Sequence, residues 1–297
     1  MTAHSVHLLK TAIFTLLALI AFAANSVLCR LALGEDTIDA SSFTVIRLLS
    51  GAAVLFVLTQ LTTRKTASDA KGSWSASLML FLYAITFSYA YITLETGTGA
   101  LILFASVQIS MILLSVVAGN RLHVAEWSGI AISCIGFVYL VLPAVKTPSL
   151  TGFVLMTTAG IAWGVYSLKG RGTQSPLFDT AYNFIRTIPF LLILSIFMLY
   201  NAQLTTRGIL LAVMSGAIAS GIGYAIWYRA LTGLSATQAA VVQLLVPVIA
   251  AFGGVLFVSE PITLRLVISA IMILGGISIV VIGRYYFVQL RLLNKTE

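Results

Sequence analysis

Ten apolar runs of membrane-spanning length divide the chain into two sets of five, offset from one another by about 140 positions. A helix needs about 20 mainly apolar residues to cross the hydrocarbon, because each residue rises roughly 1.5 Å and lipid offers backbone N–H and C=O groups no partner. The runs lie near Leu8–Leu33, Ser42–Leu61, Trp74–Leu94, Gly97–Ala118, Val124–Leu142, Leu150–Leu168, Phe178–Tyr200, Gly208–Ala230, Ser235–Val258 and Ile262–Ile282, segments one to ten in chain order. A five-helix unit crosses an odd number of times, so its second copy enters upside down. The expected fold is therefore an all-α integral membrane protein of ten transmembrane helices, built as two inverted five-helix repeats over residues 1–145 and 146–297.

Composition agrees: 59% hydrophobic and 9% charged residues leave too little polar surface to cover a soluble globule. Segment one could pass for a secretory signal, but its apolar stretch is too long and lacks a convincing small-residue cleavage site, so it is expected to span. The formal charge of +8 does not indicate a nucleic-acid partner, because its distribution reports orientation. With the N-terminus inside, the cytoplasmic side collects Lys10, Arg64, Lys65, Lys71, Arg121, Lys169, Arg171, Arg229, Arg284, Arg291 and Lys295, eleven in all. The opposite side holds four: Arg30, Lys146, Arg207 and Arg265. This satisfies the positive-inside rule with both termini cytoplasmic, in a bacterial inner membrane. Cys29 and Cys134 stand in apolar runs, with neither disulfide nor metal-ligand spacing.

The repeat is weak but visible. Phe14 and Ile46-Arg47 match Phe153 and Ile185-Arg186 at an offset of 139, and Gly136 matches Gly276 at 140. The arginine pair is the least accidental match in so apolar a chain.

The short turn Leu231-Thr232-Gly233-Leu234-Ser235-Ala236, Pro247, Ser259-Glu260-Pro261 and the Gly275-Gly276 pair carry a resemblance to the EamA-type members of the drug/metabolite transporter superfamily, over essentially the whole chain. The aromatic-rich third and eighth segments are most similar to YddG-like amino-acid exporters. The resemblance implies ten helices in two inverted repeats around a central pathway. The first half departs from the pattern, since Gly119-Asn120-Arg121 stands at the place of Ser259-Glu260-Pro261. Glu260 itself reads as a helix-start residue near a positive dipole end.

All nine acidic residues fall in loops or at helix ends, and His4, His7 and His123 lie near the cytoplasmic boundary. Proton-coupled pumps commonly carry an Asp, Glu or His relay within the membrane. Downhill, facilitated export is therefore the simpler expectation. The chain shows no nucleophile with its base, no metal-ligand set and no Gly-rich phosphate loop, so no enzyme, metal or cofactor is expected.

Arg47 and Arg186 are the cations inside spans, where they either snorkel to headgroups or attract a substrate carboxylate. Tyr83, Phe87 and Tyr91 recur every four positions and share one helix face. Segment eight answers with Tyr224, Trp227 and Tyr228, and segment six offers Trp163 and Tyr166. Ordinary packing competes with cavity lining for these rings, and their polar tips need partners away from headgroup water. Asn25, Ser26, Gln108, Ser110, Ser167, Gln238 and Gln243 add neutral donors and acceptors that serve as helix glue or face a wet cavity. Pro189, Pro247, Gly221 and Gly223 are candidate hinges, Pro247 foremost.

The expected activity is export of amino acids, aromatic ones included, by alternating access through a cavity lined by segments one, three, four, six, eight and nine. Segments five and ten serve as scaffold. Partners are a small-molecule substrate and membrane lipid, and a monomer suffices. The competing readings are an ion-coupled exporter of other metabolites or drugs, and a non-transporting membrane scaffold or receptor.

Overall fold

The structure, a computed structural model, describes residues 3–62, 72–117, 124–141, 148–170, 175–198, 202–231, 233–234 and 242–293. Among them every regular element is helical, apart from one isolated antiparallel bridge between Ile38 and Leu204. Six helices are long and apolar enough to cross a membrane: Leu9–Gly34, Ala40–Leu61, Thr96–Leu114, Leu150–Lys169, Leu177–Ile196 and Thr206–Trp227. Four shorter apolar helices, Trp74–Ala90, Glu126–Leu140, Val246–Val258 and Leu264–Val280, complete the ten.

Side-chain caps fix where several spans begin. Asp39 accepts from the Ser42 amide, Ser73 from Ala76, Ser149 from Gly152 and Thr205 from Gly208, each satisfying a helix-start N–H that lipid could not. Three segments depart from the continuous helices that hydropathy implies. Segment seven is two helices, Pro176–Ile185 and Ile188–Met198. The break falls where Pro189 has no N–H to return to the Ile185 carbonyl, and Thr187 Oγ donates to Phe184 O at 2.7 Å. Segment eight passes through a π-helix, Met214–Ile222, between Thr206–Val213 and Gly223–Leu231. Segment nine is described from Val242, and its main helix, Val246–Val258, starts with Pro247 in its first turn.

The packing repeats when the halves are exchanged. Segment one packs on segments eight and nine, and its counterpart, segment six, packs on three and four. Segments two and seven, four and nine, and five and ten meet their own counterparts. The loops obey the same exchange at opposite ends of the bundle. After segment one, Thr37 O accepts from the Thr205 amide and Asp39 N donates to Gln203 O, joining the loop before segment eight. At the other end Gly72 N and Ser73 N donate to Asp179 Oδ1 and Asn183 Oδ1, joining the start of segment three to that of segment seven. An upright copy would place both sets of contacts at one end, so this arrangement is that of inverted repeats.

Because lipid tails are as apolar as leucine, helix association relies on close packing and on small residues. Gly160 and Gly164, four apart, face Ser106 and Ser110 on segment four. A Cβ on Gly160 would stand 2.5 Å from the Ser106 Cβ. Segments five and ten cross at Gly129 and Gly276, each within 2.5 Å of the other's carbonyl if it carried a Cβ, and Ser133 Oγ donates to Ile273 O across that crossing at 3.1 Å. Large apolar side chains such as Leu16, Leu192, Leu256 and Ile271 cover the outside. Cys134 is exposed on that surface, whereas Cys29 is buried.

Candidate functional site

The Gly160/Gly164 face of segment six rests on segment four, and that contact decides where Trp163 points. One residue before Gly164, its ring turns to the centre of the bundle, 4.9 Å from Tyr83, 5.1 Å from Tyr224 and 5.4 Å from Tyr166 by ring centroids. Tyr83 continues to Phe87 at 5.4 Å and Phe87 to Tyr91 at 4.8 Å, the four-residue spacing on segment three stacking one ring above the next. Phe22 of segment one joins Tyr224 at 5.9 Å and Trp227 at 5.6 Å. The result is a continuous aromatic cluster crossing from segment three through six and eight to one. The tilted and edge-on geometries are those that aromatic quadrupoles favour.

At its heart lies a void of about 20 Å³, lined by rings of this cluster together with Asn25, Ser26, Leu103, Phe104 and Ala219. That is room for about one water. In this conformation the chamber is shut around its centre. A larger cavity of about 250 Å³ opens to one side of it, among Thr93, Glu95, Thr98, Pro148 and Arg265.

A polar thread runs behind the rings. Ser215 Oγ donates to Asn25 Oδ1 at 2.5 Å, and Asn25 Nδ2 donates to Tyr83 Oη at 3.4 Å. Arg47 Nη2 donates to the same Tyr83 oxygen at 2.9 Å. The guanidinium lies 5.2 Å from the Tyr83 centroid and 4.8 Å from that of Phe87, with the residue 1% exposed. Its Nε and Nη1 atoms are buried without a hydrogen-bond partner. The Arg47 backbone is held there by Gly216, which lets the π-helical part of segment eight press directly on the Arg47 carbonyl. π-Helical turns recur at functional sites, and this one carries Ala219 and leads into Tyr224.

One end of the bundle is closed by an ionic knot. Arg30 Nε donates to Glu260 Oε1 at 2.8 Å, while Arg30 Nη1 donates to the Tyr91 and Ile92 carbonyls at 3.1 Å each, where segment three ends. Glu260 Oε2 accepts from the Thr96 amide at 2.7 Å, where segment four begins. Glu260 thus sits at a positive dipole end, but that of segment four rather than of its own following helix. Ser259 makes this geometry by taking a left-handed backbone, φ 58°, while the Glu260 amide returns to Gly254 O at 3.1 Å, a close of the kind glycine usually provides.

Of the residues expected at the site, Asn25, Ser26, Tyr83, Phe87, Trp163 and Tyr224 line the central void together. Tyr91, Tyr166 and Trp227 are buried in the surrounding cluster, with Tyr91 Oη donating to Thr96 O at 3.3 Å. Gln108 is buried on segment four, and Ser167 and Gln243 are half-buried; none of the three lines the void. The Tyr228 side chain and Gln238 lie outside the described residues. Arg186 stands apart from Arg47: half-buried at the break in segment seven, it reaches the Trp74 ring at 5.7 Å. Pro247 is buried and Pro189 exposed, each at a helix start; Gly221 and Gly223 lie at the exit of the π-helix. Sequence reasoning missed Phe22, Leu103, Phe104 and Ala219, and it missed the Arg30–Glu260 pair. Phe22 was accessible, since it precedes Asn25 and Ser26 by one helical turn; Leu103 and Ala219 carry no signal among so many apolar residues.

The described acidic residues stand at helix ends and in loops: Glu35, Asp36, Asp39, Glu95, Glu126, Asp179 and Glu260. Glu126 is buried there, in the first turn of segment five.

Comparison with known proteins gives this architecture its relatives. The profile of the EamA-like transporter family matches residues 150–282. A Pseudomonas aeruginosa protein, described only as uncharacterized, is 45% identical over 93% of this chain and 96% of its own. A probable amino-acid metabolite efflux pump of Escherichia coli is 26% identical over 69% of this chain and 77% of its own. A solved crystal structure, 18% identical, shares the fold with a TM-score of 0.60 over 89% of this chain and 96% of that one. Ten apolar helices in exchange-symmetric halves, closed over an aromatic centre, are thus the architecture of a membrane transporter, and the chain belongs to the EamA-like transporter family.

Proposed function

We propose that the protein exports amino acids, aromatic ones included, across the bacterial inner membrane by alternating access through its central site, as a monomer with both termini cytoplasmic. Residues 1–145 and 146–297 are its two inverted repeats, and the bodies that rock take segments from both: three, four and six against one, eight and nine. The observation that carries this reading is the aromatic void between the halves. Four of its rings come from four different segments, Phe22 and Tyr224 on one body and Tyr83 and Trp163 on the other, so any motion that separates the two bodies widens it. Phenyl and indole side chains match such walls, and Asn25 supplies polar contact for a zwitterionic end. The E. coli relative's description as a probable amino-acid metabolite efflux pump supports the same substrate class.

Facilitated export follows from the charges. The described carboxylates lie at helix ends and in loops and Glu260 is engaged by Arg30, so among the described residues the centre offers no acid to carry a proton. The Arg30–Glu260 knot then closes the periplasmic end. Reconstituted in vesicles, the protein should move labelled phenylalanine down its gradient at a rate that does not change when a pH gradient is imposed. Absence of flux for every amino acid, with or without ion gradients, refutes the proposal.

A further inference from the structure

Packing alone does not explain Arg47, a buried cation beside the central void. A guanidinium in a span costs about 2.5 to 3.5 kcal/mol on insertion scales, and a cation this deeply buried normally has a carboxylate beside it. Here its hydrogen-bond partner is a neutral phenol, and two of its three nitrogens have none. The faces of Tyr83 and Phe87 supply the rest of its stabilisation. Those same two rings line the central void. A carboxylate entering the void therefore meets a positive charge with unused N–H groups just behind the wall, in a low-dielectric setting where such a bond is strong.

We propose that Arg47 is the anion-recognition residue of the central site and that the cargo must carry a carboxylate attached to an apolar or aromatic body. This rests on the reading of the aromatic void as the transport site and adds a charge rule to it. The body is held among Tyr83, Phe87 and Trp163, while the carboxylate draws the guanidinium forward past Tyr83. An ammonium group is not needed, and a cation without a carboxylate is repelled. The rule excludes cationic drugs that carry no carboxylate.

The test is equilibrium binding to purified protein in detergent, read as thermal stabilisation, with phenylalanine, phenyllactate and phenethylamine as probes. Phenyllactate should bind at least as tightly as phenylalanine, and phenethylamine about ten- to a hundredfold more weakly, the factor that one hydrogen bond to a charged group confers. Arg47→Lys should keep that order at reduced affinity, and Arg47→Gln should abolish it. Repeating the series in chloride and in methanesulfonate, which is not a carboxylate, separates a cargo carboxylate from an inorganic anion. Stabilisation by chloride that carboxylates do not displace overturns the proposal. So does equal binding of phenethylamine and phenyllactate to the wild-type protein, a result that needs no variant to fold. Phenylalanine flux with charge-blind binding would leave the export reading standing and remove only Arg47's role.

Discussion

Replacing Glu260 by glutamine probes whether the ionic knot latches one end of the bundle. The carboxylate accepts two short bonds, from Arg30 Nε at 2.8 Å and from the Thr96 amide at 2.7 Å, and the two side chains are 20% and 11% exposed. Hydrogen bonds to a charged group contribute about 1.5 to 3 kcal/mol each in such partly buried settings. An amide keeps one acceptor oxygen and turns an NH₂ group toward the other donor, so one bond and the charge are lost, roughly 2 kcal/mol. If the contact forms only in the closed state, that energy shifts a two-state equilibrium about thirtyfold towards opening. The assay is the labelling rate of a cysteine at Ser26, in a background with Cys29 and Cys134 replaced by serine, using a membrane-impermeant maleimide from the side that the Arg30–Glu260 knot closes. Glu260→Gln should raise that rate by more than tenfold, and Arg30→Gln should do the same. The double variant should add little to either, because both remove one interaction. An unchanged rate, or additive effects of the two substitutions, would refute the latch.

Three other outcomes follow from the packing. Gly216→Ala drives a Cβ into the Arg47 carbonyl, which cannot yield without moving segment two, so the unfolding temperature in detergent should fall by an amount matching about 1 to 3 kcal/mol. Trp163→Ala removes the ring that joins Tyr83, Tyr166 and Tyr224, and should raise the KM for phenylalanine well beyond any fall in maximal flux, with Trp163→Phe recovering most of the affinity. Pro189→Ala returns an N–H to the break in segment seven and should straighten it, slowing transport while leaving substrate binding intact, as vesicle flux and thermal-shift measurements would report.

Periodicity along the chain was enough for the ten spans and the inverted halves, because lipid demands long apolar helices and an odd count demands inversion; the helix of segment ten runs on to Leu293, and the expected start of segment nine at Ser235 lies outside the described residues. Periodicity also picked out several residues that the structure brings together around the central void. Tyr83 and Phe87 share a face by spacing alone, and Trp163, Asn25 and Tyr224 are polar-tipped groups in a solvent that rewards sequestering them. What hydropathy could not register was local backbone: the break at Arg186–Thr187 and the π-helix at Met214–Ile222 leave the apolar count unchanged.

The two arginines illustrate the boundary best. As a sequence match, Ile46-Arg47 and Ile185-Arg186 are equivalent, and nothing local separates them. Tertiary structure decides that Arg47 is sealed behind Tyr83 and Phe87 while Arg186 turns outward to Trp74, because Gly216 brings segment eight onto one and a helix break frees the other. Glu260 likewise becomes legible only when segments one, three, four and nine converge, since its partners lie 230 and 164 residues away in the chain. The sequence by itself determined which residues must leave water and how often the chain crosses, both sums over local chemistry. Which charges meet, and which cation is left without an anion, depended on long-range contacts that no local pattern encodes.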